Sequence, residues 1–248
     1  MSSIKSILVS QPPPSEGKKS PYDDLAERNK LKVDFRSFIH VEGISNKDFR
    51  QQKVNLAEHT AVILTSRNAI DHYFRICKEA RQTVPDTMKY FCTSEAIALY
   101  LQKYVVYRKR KIFFGESRFP EVVELMKKHK KENFLLPSAD ILKPIVPDSL
   151  DAAGINYTRA ILYKTVVSDL SDLENVFYDL LVFYSPAGID SLFINFPEFK
   201  QNDTKIAVYG DSTRKAAEAK GIKVNIAAPD PKAPSMTGAI GLYIKSNK

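Results

Sequence analysis

Two distant segments of this chain carry one pattern twice: Val62-Ile-Leu-Thr-Ser66-Arg-Asn-Ala-Ile70-Asp71-His-Tyr-Phe74 and Leu181-Val-Phe-Tyr-Ser185-Pro-Ala-Gly-Ile189-Asp190-Ser-Leu-Phe193. In each, an apolar run of strand length ends at a serine, and isoleucine, aspartate and phenylalanine then recur at matching offsets. That is the grammar of a buried strand, a polar turn and a helix. The doubling predicts two similar α/β units. Ligands of open α/β sheets bind beyond the carboxyl ends of the strands, so the two serine turns are expected to line a shared cleft. Strand-turn-helix grammar is common, and the rest of the chain must support the duplication.

Length permits it. A chain of 248 residues suffices for one large domain or two of about 120 residues, each with its own core. Hydrophobic content of 44% against 27% charged excludes a disordered or fibrous chain. The first apolar run, Ile7-Leu-Val9, is cut off by Ser10-Gln-Pro-Pro-Pro14, too early for a signal peptide. The longest later one, residues 177–196, is broken by Asp179, Pro186 and Asp190, so no membrane span is expected. A cytoplasmic protein is therefore the expectation. Cys77 and Cys92 lack metal-ligand spacing and are expected reduced.

The formal charge of +8 favours a polyanionic partner: nucleic acid, phosphates, or a small molecule bearing many carboxylates. Much of the excess lies in Lys103–Lys111 and in Lys127-Lys-His-Lys-Lys131. Such runs also suit solvated helix ends. Nucleic-acid binding calls for stacking aromatics woven into the basic residues, and no such module surrounds Tyr104 and Tyr107. Nucleic acid is therefore not the expected partner.

Apolar runs and turn residues predict strands at 7–10, 33–41, 60–65, 88–92, 111–114, 134–136, 157–166, 180–184, 204–208 and 222–226. Helices are predicted at 21–29, 47–53, 67–81, 94–103, 118–130, 147–153, 187–195, 211–219 and from about Ser235. Such alternation predicts parallel sheets with helices on both faces. After Tyr157 only about four strands remain, one short of a usual doubly wound sheet, and the opening strands complete it. Residues 1–37 with 162–248 then form one discontinuous α/β domain, and 44–155 an inserted second. The connecting strands 38–43 and 156–161 make a two-stranded hinge, and hinged pairs close over ligands.

No Gly-x-Gly-x-x-Gly or phosphate loop occurs, so no nucleotide cofactor is expected. His40, His59, His72 and His129 are scattered without zinc spacing, so no metal is expected. A Gly-x-Ser-x-Gly elbow is also missing. What does occur is a set of hydroxyl-bearing turns that open helices: Thr65-Ser66, Tyr184-Ser185 and Gly210-Asp-Ser-Thr213. Free N–H groups of a first helical turn make a ready site for carboxylates or phosphates. Each turn also reads as a plain helix cap, and the two roles are compatible.

These residues resemble the uroporphyrinogen-III synthase family. Ile63-Leu-Thr-Ser66-Arg-Asn-Ala-Ile70 is similar to its hydrophobic-Thr-Ser-x-Asn-Ala-Val turn, and Leu162-Tyr163-Lys-Thr165-Val to its Val-Tyr-x-Thr strand. Val182-Phe-Tyr-Ser185-Pro-Ala-Gly-Ile is similar to its Phe-x-Ser-Pro-Ser-x-Val turn. Ile206-Ala-Val-Tyr-Gly210-Asp-Ser-Thr213-Arg-Lys-Ala-Ala217 looks like its Gly-x-x-Thr-Ala helix start, and Gly221 and Ala228-Pro229 continue the likeness. The matches cover most of the chain in order, and the ordered set carries the resemblance.

The resemblance implies two α/β domains on a two-stranded connector and a monomeric, cofactor-independent lyase. Its implied reaction cyclises the linear tetrapyrrole hydroxymethylbilane with inversion of ring D, giving uroporphyrinogen III. It implies that Tyr163 matches a cleft-facing tyrosine that assists loss of water. It also implies that Thr65, Ser66, Asn68, Ser138, Ser185, Gly210 and Thr213 bind substrate carboxylates. Departures are Ser10-Gln11 where many members have an arginine, Thr93-Ser94-Glu95-Ala96 in place of Gly-x-x-Thr, and no Arg-Gly after Leu136. Two rival readings stay open: a non-catalytic hinged protein binding a polyanion such as a tetrapyrrole, and a nucleic-acid-binding protein using Lys103–Lys131.

Overall fold

The computed structural model of the chain describes residues 4–116 and 118–247. The chain opens with β1 (Ser6–Val9), α1 (Pro21–Asn29), β2 (Lys32–Phe35), β3 (Ile39–Gly43), α2 (Asn46–Gln51), β4 (Ala61–Leu64) and α3 (Arg67–Glu79). Next come β5 (Lys89–Cys92), α4 (Glu95–Tyr100), β6 (Ile112–Phe114), α5 (Phe119–Lys127), β7 (Phe134–Ala139), α6 (Ile145–Ala152) and β8 (Tyr157–Val167). The last part runs β9 (Leu180–Phe183), α7 (Pro186–Asn195), β10 (Lys205–Tyr209), α8 (Asp211–Ala219), β11 (Ile226–Ala228) and α9 (Met236–Ser246). Two compact units result: the chain up to His40 with Val166 onward, and Val41–Thr165.

The first unit holds a five-stranded parallel sheet in the order β11-β10-β9-β1-β2. The second holds six strands in the order β3-β8-β7-β4-β5-β6. From β8 across to β6 its ladders are parallel. β3 is the departure from the expected all-parallel sheet. Ile44 donates to the Leu162 carbonyl and Ser168 to that of Phe38, so residue numbers rise on one strand as they fall on the other. The edge pair is antiparallel, as mixed sheets commonly allow.

The twin segments supply central strands. All four residues of β4 are buried, as are all four of β9, which is why each reads as an unbroken apolar run. Successive side chains point to opposite faces. Val62 and Leu64 pack with Ile70, Tyr73 and Ile76 of α3, while Ala61 and Ile63 pack with Val122 and Met126 of α5. Val182 meets Ile240 and Ile244 of α9, whereas Leu181 and Phe183 meet Ile189 and Leu192 of α7. Each such Leu or Ile contributes about 1.5–3 kcal/mol on burial.

Two expected strands are cut differently. Residues 33–41 form two strands because the chain leaves the ladder after Arg36 N–H donates to the Val9 carbonyl. Phe38 then buries its ring edge-on to Phe183 at 5.5 Å, and its carbonyl accepts from Ser191 Oγ at 2.6 Å. The last strand starts at Ile226 rather than 222. Asn225 Oδ1 accepts the Ile206 N–H at 2.9 Å, so a side chain takes the place of a ladder bond there. Residues 162–165, Tyr163 among them, lie in the second unit rather than with the C-terminal third. Cys77 and Cys92 are free and buried; burial pushes their thiols up to about 11 and about 12. Among the described residues, no helix is long and apolar enough to cross a membrane.

Candidate active site

In the second unit, Ser66 N-caps α3, and its Oγ accepts from Ala69 N–H at 3.1 Å. Serine side chains also cap α1 from Ser20, α2 from Ser45 and α9 from Ser235, so capping alone singles out nothing. What distinguishes Ser66 is a second contact with a distant strand rather than with its own helix: Tyr163 Oη of β8 lies 3.1 Å from its Oγ. With one lone pair taken by Ala69, the Ser66 hydroxyl is able to donate to Tyr163, leaving the phenol proton for another acceptor. Burial raises the phenol pKa, and the Ser66 hydrogen bond offsets part of that rise. Tyr163 is thus a neutral phenol at pH 7, 7% exposed.

Its ring is held by a chain of contacts that no sequence motif announces. His72 stacks on Tyr163 with centroids 5.0 Å apart and planes at 18°. Arg75 Nε donates to His72 Nδ1 at 3.1 Å, and Arg75 Nη2 donates to the carbonyls of Ile44 and Leu162. Nδ1 being an acceptor, the neutral tautomer carries its proton on Nε2. Burial, then the Arg75 charge, lowers the His72 pKa. Just below about pH 6.5 the unfolded state therefore binds more protons than the folded one, so stability rises with pH through that window and levels off above it. Thermal midpoints from about pH 5.5 to about 7.5 should show a shallower rise in His72→Phe than in the parent chain.

Thr65 is half-buried, and its carbonyl accepts from Thr93 Oγ1 at 3.4 Å, tying the turn after β4 to that after β5. Asn68 is exposed on the first turn of α3. Beyond it, Asp71 accepts from Tyr100 Oη at 2.8 Å and Tyr104 Oη at 2.6 Å. Burial opposes its ionisation, but those bonds and Lys103 outweigh it and hold the carboxyl below its usual range. Ser138 ends β7 but is turned inward, 1% exposed. Its hydroxyl donates to the Ala139 carbonyl at 3.0 Å and accepts from Arg159 Nε at 2.9 Å. Arg159 also donates to the carbonyls of Ala139 and Asp140. An arginine from β8 thus fixes the loop in which the sequence has no Arg-Gly.

In the first unit, the register pairs Val208 with Phe183 and Ala228 with Tyr209, so the turns after β9, β10 and β11 leave the sheet at one edge. Ser185 N-caps α7, accepting from Gly188 N–H at 3.2 Å. Gly210 precedes α8 with φ +85° and ψ 151°, a conformation essentially confined to glycine. Thr213 lies on the first turn of α8, 1% exposed. Gly210→Ala meets no steric neighbour, so its whole cost is backbone strain of about 1–3 kcal/mol, to be read by denaturant unfolding. Three tyrosines join this edge: Tyr22 and Tyr184 share a hydrogen bond of 2.8 Å, and Tyr184 stacks on Tyr209 at 5.7 Å. Of the three, Tyr184 is marked in the sequence as part of the hydroxyl-bearing turn Tyr184-Ser185, whereas nothing there points to Tyr22.

The candidate residues therefore form two sets, Thr65, Ser66, Asn68 and Tyr163 at one carboxyl edge and Ser185, Gly210 and Thr213 at the other. Each set lies at the amino ends of helices, whose free N–H groups suit anions; the first adds a neutral phenol, and in the second Thr213 keeps its side chain buried. The chain matches the family model described as uroporphyrinogen-III synthase HemD over residues 20–238. A comparison with curated proteins finds no match. Among solved structures it is similar to uroporphyrinogen-III synthetase from Helicobacter pylori, at 17% identity and TM-score 0.62, covering 98% of this chain and 100% of that one. It is also similar to a mutant uroporphyrinogen III synthase from Thermus thermophilus, at 12% identity and TM-score 0.55, covering 98% and 99%. Those likenesses show the two-domain α/β fold; the family match, spanning most of the sequence, shows that this chain belongs to the uroporphyrinogen-III synthase family.

Proposed function

We propose that the chain performs its family's lyase reaction, cyclising hydroxymethylbilane with inversion of ring D to uroporphyrinogen III, with Tyr163 as the acid. The match over residues 20–238 carries the reading, and the Tyr163–Ser66 pair supports the chemistry. The phenol gives its proton to the departing hydroxyl of the hydroxymethyl group, and water leaves. Ser66 Oγ–H then stabilises the developing phenolate, with help from the amino end of α3. The resulting azafulvene is attacked by the substituted carbon of ring D through a spiro intermediate, and closure returns a proton. The rest of the catalysis is positioning, since the free carbon of ring D competes for the same electrophile.

The substrate carries eight carboxylates. Ser66 satisfies one N–H of α3 and leaves those of Arg67 and Asn68 for a ligand, whereas in α7, where Pro186 has no N–H, Ser185 leaves that of Ala187. The +8 charge supports such a partner. The same reading has the enzyme working as a monomer in the cytoplasm, where its two free cysteines stay reduced. Incubation with freshly made hydroxymethylbilane, followed by separation of the isomers, tests the activity. Isomer III is expected; isomer I alone, the spontaneous product, refutes it.

A further inference from the structure

The second unit has a cavity of about 420 Å³ that shares no residue with the set around Ser66 and Tyr163. It opens where β5 and β6 begin, the sheet edge opposite the serine turn, between the segments 84–88 and 104–111. Phe74 of α3, Met88 and Ile112 give it apolar walls. Its size falls within the roughly 300–1,000 Å³ of small-molecule sites.

Two independent observations give this cavity a ligand chemistry. Tyr90 lines it and is only 4% exposed, yet its hydroxyl has no hydrogen-bond partner among the described residues. That hydroxyl is not among the sealed, unpartnered polar atoms of the described residues, so it is open to solvent and to whatever enters the cavity. Arg108 and Lys111 line the same space, and neither makes an ion pair among the described residues. They belong to the basic run Arg108-Lys-Arg-Lys111, which the proposed reaction does not use. Asp86 is the one anion of the lining, so two cations face a single negative charge. Tyr104 adds a flat surface, stacked on Phe74 with centroids 4.4 Å apart and planes at 2°.

We propose that this cavity binds a small planar apolar monoanion of the aromatic carboxylate class. Its ring packs against Phe74 and Met88, its carboxylate is held by Arg108 and Lys111, and Tyr90 Oη donates to it. A larger cavity of about 690 Å³ in the first unit has the opposite charge balance, with Lys200 against the two carboxylates Glu174 and Glu198 in its lining. There Asn195, Gln201 and Thr204 spend their polar groups inside the protein.

The test is titration of the full chain with 2-naphthoate, followed by backbone amide NMR shifts. Saturable shifts are expected in residues 84–90 and 104–112. Affinity should fall about tenfold or more in the Arg108→Ala/Lys111→Ala double variant and several-fold in Tyr90→Phe. Neutral 2-naphthalenemethanol should bind about tenfold more weakly than the acid. Shifts confined to other residues, or equal affinity in parent and variants, would overturn the assignment, as would equal affinity for acid and alcohol. Formation of uroporphyrinogen III by the double variant should be unchanged; its loss together with 2-naphthoate binding would make the cavity part of the substrate site and end the claim of a separate one.

Discussion

Tyr163→Phe is expected to lower kcat for uroporphyrinogen III formation by about 100-fold, the lower end of what a positioned general acid supplies, while leaving unfolding almost unchanged. The ring keeps its place because His72 stacks on its face at 5.0 Å, an interaction that needs no hydroxyl. What disappears is the proton aimed at the leaving group and the 3.1 Å bond to Ser66. Ser66 retains its bond from Ala69 N–H, so the α3 cap survives. An effect on kcat with little change in KM marks a group that acts in the transition state rather than in binding. Single-turnover measurements with fresh substrate check it; a parental rate removes Tyr163 from the chemistry. A matched loss of stability would instead make it a packing residue.

The pairing behind this prediction is what the sequence hides. Ser66 and Tyr163 are 97 positions apart, and each is legible singly: one as a helix cap, the other as a tyrosine in an apolar strand. Their meeting depends on β7 pairing with both β4 and β8, a lateral order that apolar periodicity does not encode. His72 shows the same limit. Read as a scattered half-buried histidine, it gains a role only when β8 brings a ring against its face. By contrast, β4 and β9 were readable because a strand covered on both faces must be apolar throughout. Counting strands likewise showed that the opening segment completes the C-terminal sheet. The break at Arg36–Phe38 escaped because its cause, the Ser191 hydroxyl, lies 153 positions on. Ser138 escaped in the other direction: a serine at a strand end looks available, and only the neighbouring strand's Arg159 reveals that its hydroxyl is engaged.

The largest effect on stability is expected from Phe91→Ala, about 3–5 kcal/mol. Phe91 is fully buried in β5, with Phe113 4.9 Å away, Phe134 at 5.3 Å and His129 at 5.5 Å. Rigid rings converging on one side chain close poorly around the space it leaves, so the transfer loss and the cavity add. Phe91→Leu keeps much of the volume and should cost clearly less. The two units have separate cores, with no buried residue in common, so one midpoint for the chain would blur the effect. Hydrogen exchange resolves it: protection should fall across β4 to β7 and hold in β9 and β10. Activity should fall too, because β5 supports β4 and Thr93 ties the turns after both strands together. It should recover at lower temperature as the second unit refolds, whereas the Tyr163→Phe defect persists in a folded chain. That difference in temperature response separates loss of scaffold from loss of chemistry at a site where the two share a sheet.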